Sequence, residues 1–192
     1  MPNVQNPRLT PQLRNHIQVT AQQGGLDGNK VMAVVAPESG FNPARIANND
    51  PNHAGLIQWG RPEWAETAKA AGTPNVSWED MQKMSTEQQL PYVYTYLKLK
   101  GITSESPVQD YYVAIAAPGL LKAPDGTVAY QKGSDQAAKN PDWDLDRDGQ
   151  VTVGEIRRFG SGERRQQPVA MAGVAGGNRF APVAGVPPLV RK

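Results

Sequence analysis

The chain is punctuated as a series of short helices: apolar residues recur at helical spacing, and most runs open on a capping residue and close on glycine. Thr10 with Pro11 supplies an N-cap and a first helical position, Leu13 and Ile17 share one face, and Gly24-Gly25 close the segment. A second helix starts after Asp27, carries Val31, Met32, Val34 and Val35 as a mostly buried segment, and stops at Gly40. That stop leaves Glu38 and Ser39 at its C-terminal edge. Residues 41–60 are rich in Asn, Asp, Gly and Pro and read as loop. Pro62 opens a helix through Ala71 that Gly72 ends. Ser77 with Asp80, and Ser85 with Gln88, have the form of capping boxes. The second of these leads into Leu90, Val93, Tyr94 and Leu97 and stops at Gly101. Ser106-Pro107 begins a further helix through Tyr112, Ile115 and Ala116 to Pro118-Gly119. No segment alternates with period two, so the expected class is mainly α.

A length of 192 residues suits one domain of ordinary size and a tail. The expected division is a flexible lead-in over 1–9, a domain over 10–160, and a low-complexity tail over 161–192. In the tail Ala, Gly, Val and Pro dominate, and Arg164, Arg165, Arg179, Arg191 and Lys192 face the single acid Glu163. Such a segment is flexible or ordered only against a partner. The net charge of +2 does not call for a specific nucleic-acid partner. No apolar stretch approaches the roughly 18–20 residues of a membrane span. The N-terminal run through Pro7 lacks the basic-then-apolar order of a secretory signal.

The absence of cysteine rules out a disulfide, a thiol nucleophile and a Cys-ligated zinc site. With only His16 and His53, a Ser–His–Asp triad or a multi-histidine metal site is not expected either. Carboxylates are left for proton chemistry. Cleaving a glycosidic bond calls for a carboxylic acid still protonated near neutral pH, and a partly desolvated glutamate meets that need. Glu38 is placed for it, with an apolar helix before it and Phe41 after it.

The run Glu38-Ser39-Gly40-Phe41-Asn42-Pro43 resembles the first motif of the lytic transglycosylases, and Gly55-Leu56-Ile57-Gln58 resembles their second. The stretch Tyr111 to Gly119 looks like their third, helical motif as phage-encoded members carry it. Three motifs in order cover roughly residues 28 to 120. The resemblance implies a lysozyme-like domain acting on peptidoglycan. Glu38 would protonate the oxygen between N-acetylmuramic acid and N-acetylglucosamine, then take the proton of the muramoyl 6-hydroxyl as it attacks the anomeric carbon. Ser39 would orient the acid or the substrate's acetamido group, Gln58 would hydrogen-bond the sugar, and Tyr112 would line the cleft. Pro37, directly before the acid, departs from the pattern and is expected to kink the helix. Asp50, between Asn49 and Pro51, reads as a turn residue first and as a hydrolase nucleophile second. Phe41 reads as core. Trp59, Trp64 and Trp78 are as well suited to structure as to sugar stacking, and at most part of the Tyr92, Tyr94 and Tyr96 cluster can face a cleft.

Asp144 to Glu155 matches a twelve-residue EF-hand loop. Asp144, Asp146 and Asp148 occupy positions 1, 3 and 5, Gly149 the sharp turn, and Glu155 the bidentate position. Gln150 would contribute its carbonyl, and Thr152 would act directly or through water. Thr152 and Glu155 also form a capping box, which a solvated acidic turn would keep without any ion. With the incoming helix interrupted by Pro141, this is a solitary loop, so the expected Ca2+ is structural and not catalytic.

The function expected from these readings is a peptidoglycan lytic transglycosylase with a 1,6-anhydro product. It would be carried in a phage particle, in the tail or as an internal ejected protein, and act in the bacterial periplasm or cell wall. Its partners would be glycan strands and, through the tail, other virion proteins. Two alternatives stand beside it: a muramidase-type hydrolase using Glu38 and Asp50, and an inactive structural or wall-binding virion protein.

Overall fold

Side-chain caps start most of the helices. In the computed structural model, which describes residues 6–47 and 50–163, Thr10 Oγ1 accepts from Leu13 N at 3.1 Å and opens α1 (Pro11–Gln23). Asp27 Oδ1 accepts from Asn29 N and Lys30 N at 2.8 and 3.3 Å and opens α2 (Gly28–Ser39). Helix α3 spans Arg61–Ala70 and begins with Pro62 in its first turn. Both expected capping boxes form, at the starts of α4 (Trp78–Met81) and α5 (Thr86–Leu99). Helix α6 (Val108–Ala116) follows Pro107, and α7 (Asp135–Lys139) is capped by Ser134. A third capping box, Thr152 with Glu155, opens α8 (Val153–Gly160). These eight α-helices make the described residues mainly helical, and none of the helices is long and apolar enough to cross a membrane.

Two small antiparallel pairs were not legible as period-two segments. Strand β1 (Ile46–Ala47) pairs with β2 (Asp50–Ala54) inside the stretch expected to be loop. Strand β3 (Val128–Gln131) pairs with β4 (Gln150–Thr152), with Tyr130 opposite Val151. Strands of two to five residues are too short for alternation to show, and β2 is built from Asp-Pro-Asn-His-Ala, a turn composition. Only residues 6–9 of the expected lead-in are described. Of these, Leu9 is buried in the core and Asn6 Nδ2 donates to Gly40 O at the end of α2 at 3.1 Å, while Pro7 and Arg8 are exposed. The expected tail lies outside the described residues beyond Glu163.

Helix α2 contacts both α1 and α6, and α6 packs closely on α8. Ile17, Val31, Val34 and Val35 fill the first contact without exposed surface. Each such side chain contributes about 1.5–3 kcal/mol of apolar burial. The α6–α8 approach requires Gly160, because a Cβ there would stand 2.6 Å from Tyr112 Cβ. Arg157 fastens α8 further, donating to the carbonyls of Leu121 at 2.7 Å and Ala123 at 3.2 Å and pairing with Asp125.

The segment after α2 is held by one buried amide. Gln89, on α5 and fully buried, accepts from Leu56 N at 3.0 Å and donates to Pro43 O and Met81 O at 2.9 and 2.8 Å. Gly55 turns beneath it at φ 87°, where a side chain would meet Met81 Sδ at 2.8 Å and Gln89 Oε1 at 3.1 Å. This clamp fixes the hairpin β1–β2 and the turn at Gln58 against the helices.

Candidate active site

The C-terminal end of α2 delivers Glu38 into a cleft of about 670 Å³. One wall is the hairpin β1–β2 with Arg45, Asp50 and His53; the floor includes Tyr96 of α5 and Tyr112 of α6. The opposite wall is the segment from Tyr130 to Trp143. Helix α2 runs on through Pro37 to Ser39 rather than ending before it, and Gly40 N closes its last turn onto Ala36 O at 3.0 Å. Proline there supplies no donor to the carbonyl four residues back. Gly40 and Phe41 then both take left-handed backbone, at φ 59° each, and swing the chain away so that Phe41 is buried in the core.

Glu38 accepts no hydrogen bond from any of the described residues, and its side chain is only half-buried by surface area. Burial raises its carboxyl from the ordinary 4.5 to about 7. With no donor to stabilise the anion, the neutral acid is favoured, and near neutral pH both protonation states are populated. Tyr96 stands close enough to feel the charge: burial first, then the fields of Glu63, Glu66 and Glu38, hold its phenol well above the usual range. Its hydroxyl donates to Ala114 O at 3.0 Å.

Gln58 lines the same cleft, in left-handed backbone at φ 57°. Its Nε2 donates to Gly55 O at 2.7 Å and Arg45 O at 3.2 Å, which orients the amide and leaves Oε1 without a partner among the described residues. Tyr112, not Tyr111, reaches the cleft; Tyr111 donates to Thr103 O on the far side of α6 and accepts from Asp27 N. Tyr112 is buried, and its hydroxyl accepts from Trp143 Nε1 at 3.2 Å. Ser39 is the exception among the expected substrate contacts. Its hydroxyl donates back to Val35 O at 3.3 Å, it is buried, and it does not line the cleft. A serine late in a helix finds the preceding carbonyl more readily than a neighbour on another element.

Asp50 also lines the cleft, but both of its oxygens are engaged. Oδ1 accepts from the backbone and side-chain nitrogens of Asn52 at 3.0 and 3.2 Å, within β2. Oδ2 faces Lys139 Nζ at 2.7 Å and His53 Nδ1 at 3.0 Å. The Lys139 contact, then the Asn52 amide, hold its carboxyl far below the usual carboxylate range.

Several residues of the site had no signal in the sequence. Tyr96 was one of three tyrosines on a helix, and only the packing tells them apart: Tyr94 shares a hydrogen bond with Thr20 at 2.8 Å, and Tyr92 leans on Trp64. Trp143 stacks on Tyr130 with ring centroids 5.9 Å apart, and together they form an aromatic wall. Lys139 reaches Asp50 from 89 positions away.

Trp143 leads directly into the acidic loop. The carboxylates of Asp144, Asp146 and Asp148 offer ligand atoms within 4.8 Å of one another and could hold a metal ion. Oxygen-only donors suit a hard cation. The chain turns there at Arg147, φ 68°, and Gly149, φ 90°. Glu155, expected as the bidentate ligand, does not join this group. Gln150 lies in β4 opposite Gln131, its backbone N–H donating to Asp148 Oδ1 at 2.7 Å. Thr152 donates its hydroxyl to Glu155 Oε2 at 2.9 Å. Glu155 is buried, with Oε1 accepting from Leu145 N at 2.8 Å and Oε2 from Thr152 N at 2.8 Å, so its carboxylate ties the two ends of the loop together. No known protein-family model matches the chain, and no curated protein matches it either.

Proposed function

We propose that this chain is a peptidoglycan lytic transglycosylase of lysozyme-like fold, carried in a phage particle to open the wall locally during genome delivery. The observation that supports this most is the carboxyl of Glu38, raised to about 7 in a cleft it shares with Gln58 and Tyr112. A lone acid of that strength can both give and take a proton at neutral pH. Glu38 protonates the oxygen linking N-acetylmuramic acid to N-acetylglucosamine, and that bond to the anomeric carbon breaks. The resulting carboxylate takes the proton of the muramoyl 6-hydroxyl as its oxygen bonds to the anomeric carbon. The products are a 1,6-anhydromuramoyl end and a free N-acetylglucosamine 4-hydroxyl, with no water consumed.

Gln58 Oε1 accepts from a sugar hydroxyl or acetamido N–H, while its Nε2 stays fixed on Gly55 and Arg45. Tyr130 and Trp143 present ring faces and edges to the sugars. Asp144, Asp146 and Asp148 hold Ca2+, which steadies the C-terminal part of the domain and supplies no chemistry. Residues beyond Glu163 join the enzyme to other virion proteins.

One observation favours a second reading, a two-carboxylate hydrolase. Glu38 and Asp50 line one cleft with carboxyls displaced in opposite directions, the signature of a general acid beside a carboxylate that stays ionised. Mass spectrometry of muropeptides released from purified peptidoglycan separates the two. Anhydro ends with none from Glu38→Gln support the transglycosylase; reducing ends lost in Asp50→Asn support the hydrolase; release by Glu38→Gln at the wild-type rate sinks both.

A further inference from the structure

Of the basic groups in the cleft, two are already committed: Lys139 and His53 both face Asp50 Oδ2, at 2.7 and 3.0 Å. Arg45 is different. It lines the cleft with an exposed side chain, and its guanidinium makes no ion pair or hydrogen bond with any of the described residues. Its backbone is nonetheless held firmly. Arg45 N donates to Asn42 O at 3.1 Å, and its carbonyl accepts from Gly55 N at 2.9 Å and Gln58 Nε2 at 3.2 Å. The guanidinium therefore extends from a fixed point one hydrogen bond away from the amide proposed to hold the sugar, and no carboxylate among the described residues neutralises it.

We propose that Arg45 is a specificity-determining residue that binds a carboxylate on the peptide stem of the glycan strand. This rests on the reading of the cleft as a peptidoglycan site. The guanidinium fork matches a carboxylate bidentately, whereas the sugar rings offer only neutral hydroxyls and amides. Stems project from the muramoyl residues, so a strand lying across Glu38 brings them past the cleft rim. A cation at that rim selects strands with charged stems without touching the reacting atoms. An exposed pair of this kind changes binding about two- to fivefold and weakens with salt.

The test uses full-length Glu38→Gln protein, which binds without turnover, and co-sedimentation with insoluble wall fragments. Half of the fragments carry native carboxylates, and half have them converted to amides with a carbodiimide and ammonia. The expected result is about two- to fivefold tighter binding to native fragments. Adding Arg45→Ala erases that preference, and Arg45→Lys keeps part of it. Equal binding to both fragments, or a preference that survives Arg45→Ala, overturns the proposal. Muropeptide release by the wild type is followed in parallel. No release alongside an Arg45-dependent preference refutes the transglycosylase reading and leaves the carboxylate site standing.

Discussion

Replacing Glu38 by Gln should stabilise the protein at pH 8 and do little at pH 5. The carboxyl moves from 4.5 in an open chain to about 7 in the cleft, and desolvation is the cause. Between those values the native state holds a proton that the unfolded chain has lost, so stability falls as pH rises through that window and levels off above it. A displacement of that size corresponds to about 3 kcal/mol at its ceiling. The side chain is only half-buried, so water reduces the realised cost to about 1–2 kcal/mol. Glutamine keeps the shape and removes the charge, so its benefit should follow the same pH window. Urea denaturation of both proteins at pH 5 and pH 8, compared at constant slope, reads the difference directly. The same ionisation should lower kcat/KM for wall fragments about tenfold from pH 6 to pH 8, as the protonated fraction drops from about nine-tenths to about one-tenth. A Gln variant no more stable than wild type at pH 8, or equally favoured at both pH values, would refute the desolvation argument.

Gln89→Leu should destabilise the fold by about 2–3 kcal/mol, because Leu56 N and the carbonyls of Pro43 and Met81 lose their buried partner; a denaturation midpoint within error of wild type counts against the clamp. Chelation by EDTA should lower Tm and added Ca2+ restore it, and Asp144→Ala should remove that response; a Tm indifferent to Ca2+ removes the ion from the loop.

The helices were readable because their signals are local. Thr10, Asp27, Ser77, Ser85 and Thr152 each accept from an amide two or three residues on, and that contact depends on nothing distant. The placement of Glu38 at the end of α2 follows from the same local signals. What escaped was everything settled across the chain. Gln89 looked like an ordinary polar helix position, yet it holds three separate segments together. Tyr96 was indistinguishable from Tyr94 until α6 packed against it and took its hydroxyl. Ser39 erred the other way: its adjacency to the acid suggested a shared role, whereas helix geometry turns its hydroxyl back to Val35. The acidic loop divides along the same line, with three aspartates converging through local turns and Glu155 diverted to backbone amides.

The opposed states of Glu38 and Asp50 bear on which chemistry the cleft favours. A nucleophilic or base-acting Asp50 needs a lone pair facing the anomeric carbon or a water. Oδ1 is spent on Asn52, and Oδ2 is held by a lysine and a histidine together. Releasing it means parting an ion pair that also links β2 to α7 across the cleft, and the same pairing lowers the basicity that attack would use. Glu38 carries no such ties to the described residues, and its carboxyl, raised to about 7, can give or take a proton near neutral pH. A mechanism that runs on one carboxyl, with the sugar's own hydroxyl as nucleophile, asks nothing further of Asp50. In that scheme Asp50 serves as an anchor: it fixes Lys139 and His53, orders the two cleft walls, and leaves Arg45, among the described residues of the cleft, as a cation open to substrate.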